Sequence, residues 1–481
     1  MSDGLPPPAF AGPGRFVTGS VMRHVLVMSG TGSIGLMAIF VVDLLSLLYV
    51  SRLGDPALTA AVGLASVVQF FATAVNIGLM IAAGALVARA IGAGDRVLAR
   101  RLAASAIALG VLVAGILAAA MLPFAGRLLS LVGAKGEALR VADLFLTITL
   151  PSNVLLGLGM LFTGLLRATG DAVRAMWVTL GGAIVTAFLD PLLIFGAGLG
   201  VEGAAITVCV ARATFVIIGW RSLARHGLLR MPRPAEVVAD APAMAAIAGP
   251  AVLTNLAPSV AAAFLTHLFA GYGQDAIAAA AVIDRLTPVA FGGLFALSGA
   301  IGPILAQNWG AGRFDRMEAT LGSCVKATLV YAAGVWVLLI LLRGPLAGLF
   351  GLRGIAAELF QFFCLVGGAI WFFNGLLFLG NAAFNNLGFP LRSSLLNWGR
   401  ATLGTVPPAY LGSALFGPKG IIAGMGIGSL VFGLAGLALA RRTVSRLAER
   451  SALPVSGEGS TGIVTGELAF PPGAGHDTRG R

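Results

Sequence analysis

Long apolar runs, many of them near or above twenty residues, alternate with short polar breaks from residue 24 to residue 440. A helix rises about 1.5 Å per residue, so about 20 apolar residues cross a ~30 Å hydrocarbon core. About twelve runs meet that length: 24–50, 58–88, 100–122, 140–166, 174–197 and 201–220, then 243–271, 276–307, 320–342, 356–384, 391–416 and 420–440. The pattern predicts an all-α integral membrane protein. A polar linker, 221–242, separates two sets of six and carries Pro-Arg and Arg-Pro breaks. Residues 1–20 are Pro/Gly-rich without an apolar core, so a disordered segment is expected there and the first helix serves as its own insertion signal. After residue 441 the chain is first basic, then Gly/Ser/Pro-rich to residue 481, which predicts a disordered tail.

The two sets resemble each other. Arg89-Ala-Ile-Gly-Ala-Gly-Asp95 returns as Asn308-Trp-Gly-Ala-Gly-Arg-Phe-Asp315, and Leu53-Gly-Asp-Pro-Ala-Leu-Thr-Ala-Ala61 returns as Tyr272-Gly-Gln-Asp-Ala-Ile-Ala-Ala-Ala280. An internal repeat in so apolar a chain is the signature of a transporter built from two halves with the substrate path between them. Six helices per half is an even number. Both bundles, 21–220 and 243–440, then insert with the same sense, as a parallel repeat about the membrane normal.

Composition sharpens the class. Apolar residues make up 58% and charged residues 11%, against about 25% charged in soluble domains, and mean hydropathy is +0.93. The net charge of +12 does not indicate nucleic acid, because the basic residues sit in the breaks between spans. With the N-terminus inside, roughly 19 Arg and Lys fall in inner breaks and 7 in outer ones, so both termini are expected in the cytoplasm. Cys209, Cys324 and Cys364 lie inside apolar runs with no paired spacing, which argues against a disulfide framework or a zinc site. Gly30-Thr-Gly32-Ser-Ile-Gly35 matches a dinucleotide fingerprint by letter only, since no strand precedes it. No P-loop is present, so ATP is not the direct energy source, and no cofactor is expected beyond a proton or sodium ion as coupling ion.

Charges inside a bilayer cost about 2.5–3.5 kcal/mol at a helix centre, so each needs a reason. Asp43 lies nine residues before Arg52, near the middle of the first span, with Ser46 one turn on. Asp190 sits in the fifth span, which runs in the same direction, before Pro191 and the Gly-rich exit 196–200. The two carboxylates are expected at comparable depth on one cavity. Such a pair can hold a proton near neutral pH and release it when the cavity opens; the alternative is a structural ion pair or an interhelical hydrogen bond. Pro191 frees a carbonyl near Thr186 or Ala187. Ser46, Thr186, Pro191, Thr207, Asn153, Asn255 and Asn374 complete the candidate cavity lining. Asp284 and Arg285 are adjacent and cannot pair with each other, so packing roles are favoured, as for Arg400. His267 reads as an interfacial residue and Asn381 as either path or packing.

The motifs Leu166-Arg-Ala-Thr-Gly-Asp171, Leu189-Asp-Pro-Leu-Leu-Ile-Phe-Gly196 and Ala296-Leu-Ser-Gly-Ala-Ile-Gly-Pro303 running into Gln307-Asn-Trp-Gly-Ala-Gly312 resemble the multidrug and toxic compound extrusion (MATE) transporters over about residues 20–440. The resemblance implies two six-helix bundles in a V that open alternately to either side. It also implies antiport, in which protons or sodium ions move in and drive organic cations out. The family's fifth-helix acid corresponds to Asp190. Its first-helix acid corresponds to Ser46, with Asp43 one turn deeper, and its fifth-helix Asn corresponds to Thr186. The seventh and tenth spans lack the acids of a second-half sodium site, which favours protons. The resemblance thus implies no enzyme but a monomeric, multi-pass exporter of small organic cations in a prokaryotic plasma (inner) membrane. A flippase for lipid-linked precursors is the alternative; it would favour a strongly cationic cavity, and only Arg212, Arg285 and Arg400 lie mid-helix.

Overall fold

In a computed structural model, residues 14–452 are described, and among them every regular element is helical. The first bundle holds α1 (Val21–Ser51), α2 (Pro56–Gly92), α3 (Arg96–Met121), the short α4 (Ala125–Leu131), α5 (Gly136–Thr149), α6 (Asn153–Ala168), α7 (Ala172–Pro191) and α8 (Gly200–Arg225). The second holds α9 (Pro234–Ala270), α10 (Gln274–Gly310), α11 (Phe314–Leu349), α12 (Gly354–Asn386), α13 (Pro390–Ala401) and α14 (Val406–Ala452). Helices are the only open-ended way to satisfy every backbone group in lipid. Asp55, Asp95 and Asp171 cap α2, α3 and α7 by accepting from Ala57, Leu98 and Arg174 N–H groups.

Among the described residues, ten helices are long and apolar enough to span a membrane, and α5 with α6 makes an eleventh crossing bent by 55° at Leu150–Ser152. The last 62-residue span is itself two crossings. At Gly417 the backbone turns left-handed (φ 62°), and Gly412 lies against Gly420, Pro408 against Gly424 and Gly404 against Gly428. These pairs run antiparallel, so α14 doubles back and the total is twelve. The repeat is written into the turns. Left-handed glycines at 54, 94, 133, 136, 170 and 198 recur at 273, 312, 351, 354, 388 and 417, an offset of 218 or 219 residues each time.

Three boundaries differ from the expectation. Residues 14–20 are folded, because Phe16 finds a buried seat (1% exposed) against α10; residues 1–13 lie outside the described part. The linker narrows to 226–233, because α8 runs on to Arg225 and α9 starts at Pro234. Asp240, placed in the linker by its polarity, is a buried residue of α9 held by Arg101 and Ser105 of α3. Residues 441–452 continue α14, and 453–481 lie outside the described part.

The two bundles touch only toward one face, here named the near face because residues 14–20 lie on it. The cores there mix both bundles: Leu86, Leu165 and Val178 pack with Met244, Ile247 and Ala306, and Val25 and Met28 with Leu297, Ile301 and Leu321. At the far face each core belongs to one bundle alone, Val50 to Ala205 in one and Leu265 to Ile422 in the other. The molecule is a V, closed at the near face and open at the far face. The near crossing is tight: a Cβ on Gly310 would meet the Arg89 carbonyl at 2.1 Å, and one on Gly92 the Gln307 carbonyl at 2.0 Å. Both positions belong to the repeated Gly-Ala-Gly motif, so that motif is the contact between halves. At the same face the Asp171 carboxyl would be raised by burial, but hydrogen bonds from His226 and Arg174 outweigh that and hold it well below the usual carboxylate range.

Candidate functional site

The first-bundle site follows from how α1 lies on α7. Gly35 sits against Thr179, where a Cβ would meet the Thr179 hydroxyl at 2.3 Å. Eleven residues farther along both helices, Ser46 donates a short hydrogen bond to the Asp190 carboxylate. The equal step means the helices run parallel in register, about three turns between the two contacts. Asp190 is buried (1% exposed), and the Thr207 hydroxyl of α8 reaches the same carboxylate while donating to Gly203 O at 3.0 Å. Asp43, one turn nearer the closed face, is open to the cleft and stands close enough to Asp190 for the two charges to repel.

Neither carboxylate takes part in an ion pair among the described residues. A buried carboxylate met only by hydroxyls is costly when ionised. Asp190 held in this way, with the exposed Asp43 beside it, is chemically suited to a cation, whether a proton, a metal ion or an organic ammonium. After Asp190, Pro191 has no N–H to give, and α7 opens into a wider π turn, Leu192–Gly196. Such turns are rare and concentrate at functional positions.

The other candidates distribute unevenly. Thr186 turns its hydroxyl to Gly182 O of its own helix, so it makes no bond to Asp190. Asn153 is buried away from the pair, accepting from Asn76 at 3.0 Å. Asn255 donates to Ala251 O along α9. Asn374 is buried on α12, on a stripe with Trp371, Phe378 and Asn381. A dish of about 970 Å³ at the far face, lined by Arg127, Arg140 and Asp143, shares no residue with the carboxylate pair.

Two features escaped the sequence reading. Phe291 stacks on Trp371 at 5.2 Å and 13°, and Phe295 packs on Phe378 at 5.0 Å, giving the second bundle an aromatic wall. Its signal is present, since 371, 374, 378 and 381 follow helical spacing. Arg212 is buried and donates to Thr149 O, Ser152 and Gln69, which holds the break between α5 and α6. Nothing in the letters links Arg212 to that break.

The MatE family profile matches residues 33–192 and 250–411, one block in each bundle. The chain belongs to the MatE family. It is therefore a multi-pass membrane transporter. This MatE chain is 30% identical over 429 residues to a Shewanella oneidensis protein named FAD transporter, covering 87% of this chain and 94% of that one. It is 24% identical to the multidrug export protein MepA of Staphylococcus aureus, covering 85% and 90%. A mutant of the Vibrio cholerae MATE transporter VcmN superposes with a TM-score of 0.85 at 21% identity, covering 89% of this chain and 98% of that one. A Pyrococcus furiosus transporter described as having a binding pocket of reversed polarity superposes at 0.83 and 23%, covering 90% and 98%.

Proposed function

We propose that this MatE transporter is a secondary antiporter that exports small, largely planar organic cations in exchange for protons. The observation that carries this reading is the carboxylate couple of the first bundle, Asp43 open to the cleft and Asp190 buried beside it, with no ion pair to either among the described residues. The near face is the cytoplasmic one on this reading, because it carries the excess of Arg, so the V is open outward. There the carboxylates release a cationic substrate and take up protons. The neutralised site tolerates closure, the V inverts, and substrate displaces the protons from the inside. The aromatic wall of Phe295, Trp371 and Phe378 supplies apolar contact without demanding one shape.

One relative's name favours a second substrate reading, a flavin dinucleotide. A planar ring suits the aromatic wall. The test is efflux from proteoliposomes under an imposed proton gradient or sodium gradient, with ethidium or FAD loaded separately, for wild type and Asp43→Asn. Proton-driven ethidium efflux that the variant loses supports the proposal. Sodium-driven efflux, or efflux that survives the substitution, discards proton coupling at Asp43. FAD transport without ethidium transport transfers the site to the flavin reading.

A further inference from the structure

Two helices that touch at the near face carry opposite charges where they part. α1 and α10 run antiparallel, with Gly32 against Ala296 and Met37 against Gly292. Extending the Gly32–Ala296 register toward the far face sets Asp43 level with Arg285. Rotation agrees. On α10, residues 285, 292, 296 and 299 form one stripe by helical spacing, and the stretch of it in contact faces α1 or Arg167 of α6. On α1, residues 25, 32 and 43 form the matching stripe, with Val25 and Gly32 already packed on the second bundle. In this far-open state the two charged residues are exposed to the cleft and make no ion pair.

We propose that Arg285 is a positioning residue that discharges the coupling cation: when the far face closes, α1 zips along α10 and brings the guanidinium to the Asp43 carboxylate. A cation this close favours the ionised carboxylate. The proton bound at Asp43 therefore leaves for water on the near side, and the O–H electron pair stays on the carboxylate now paired with Arg285. Opening the far face pulls the two apart and restores cation uptake. The other charged groups around α1 do not substitute. Asp190 on α7 repels Asp43, and Asp284 shares a stripe of α10 with Phe291 and Phe295, which pack on Trp371 and Phe378 of α12. Asp55 and Glu202 stand at the far ends of α2 and α8, and Arg212 is engaged at the α5–α6 break. Lys326 and Arg343 lie on α11, whose shared core with α1 is Val25, Met28, Met317 and Leu321.

This inference rests on the coupled-exchange reading, and its test separates the two. In proteoliposomes, wild type, Arg285→Gln and Arg285→Lys are compared for proton-driven ethidium efflux and for ethidium-for-ethidium exchange without a gradient. An opposite charge at close range is worth one or more tenfold steps in proton affinity, so net efflux in Arg285→Gln is expected to fall about tenfold, with exchange within about twofold of wild type. Arg285→Lys is expected to recover most net efflux. Equal loss of both activities, or full net efflux in Arg285→Gln, overturns the proposal. Absence of gradient-driven transport in wild type sinks the exchange reading instead. Geometry is checked separately with Leu47→Cys and Ala281→Cys, the next level pair, in a chain whose three native cysteines are serine. Cross-linking that rises when substrate is supplied from the near side is expected; no cross-link under any gradient refutes the zipper.

Discussion

At the scale of single residues, the decisive contact is the hydroxyl of Ser46 on the carboxylate of Asp190. A hydrogen bond to a charged group contributes about 1.5–3 kcal/mol, and this one is stronger while Asp190 is ionised. Ser46→Ala is therefore expected to favour cation retention at Asp190 and to slow proton-driven efflux about tenfold, with the amount of folded protein unchanged. Efflux at the wild-type rate would reduce Ser46 to a packing residue. The two acids were legible in the sequence because a charge in an apolar run needs a reason. The role of Ser46 was half legible: spacing put it one turn from Asp43, but only the parallel register of α1 on α7 aims it at Asp190. Thr186 and Asn153 show the limit. Polar letters in apolar helices have local outlets, a carbonyl one turn back or another amide, that no spacing rule distinguishes from a cavity.

At the scale of elements, the twelve apolar runs were readable, most of them to within a few residues, while the interruptions and the polar ends of α9 and α14 were not. The crossing read as 140–166 is two helices, because Pro151 denies its N–H and the chain bends there. The repeat gives no hint of it, since the equivalent stretch of α12 runs unbroken from Gly354 to Asn386. The break leaves the Thr149 carbonyl to be shared by Ser152 Oγ at 2.7 Å and Arg212 at 2.8 Å, and Arg212 also donates to Ser152 Oγ and to Gln69 Oε1, an acceptor that depends on it. Arg212→Met keeps most of the volume and removes every donor. Leaving a buried acceptor unsatisfied costs about 1–3 kcal/mol. The expected result is a lower thermal midpoint in detergent with the helical signal retained. An unchanged midpoint would mean that water replaces the guanidinium at the break.

At the scale of the whole molecule, closure of the near face rests on a segment that composition alone marked as unstructured. Residues 14–20 lie across both bundles. Arg15 donates to Gly170 O of the first bundle, and Phe16 N donates to Gln307 of the second at 3.0 Å. Arg316 of α11 donates to the carbonyls of Phe16, Thr18 and Gly19. Gln307 joins the pieces, since its amide also donates to Ala168 O at the end of α6 at 2.6 Å. Alternating access requires the near face to open, and opening parts α10 from α6, so the Gln307–Ala168 bond must break in each cycle. Gln307→Ala removes that bond, which is worth about 1–3 kcal/mol where the other group stays buried. The far-open state thereby loses support that the near-open state never had. A cysteine at Met28, buried between the bundles at the near face, reports the change. In a background without native cysteines, Met28→Cys is expected to react with a maleimide about tenfold faster once Gln307→Ala is added, as a shift of ~1.4 kcal/mol between the two states requires. Equal reaction rates in both backgrounds would show that the tight crossing at Gly92 and Gly310, not the folded segment, sets the balance between the two openings.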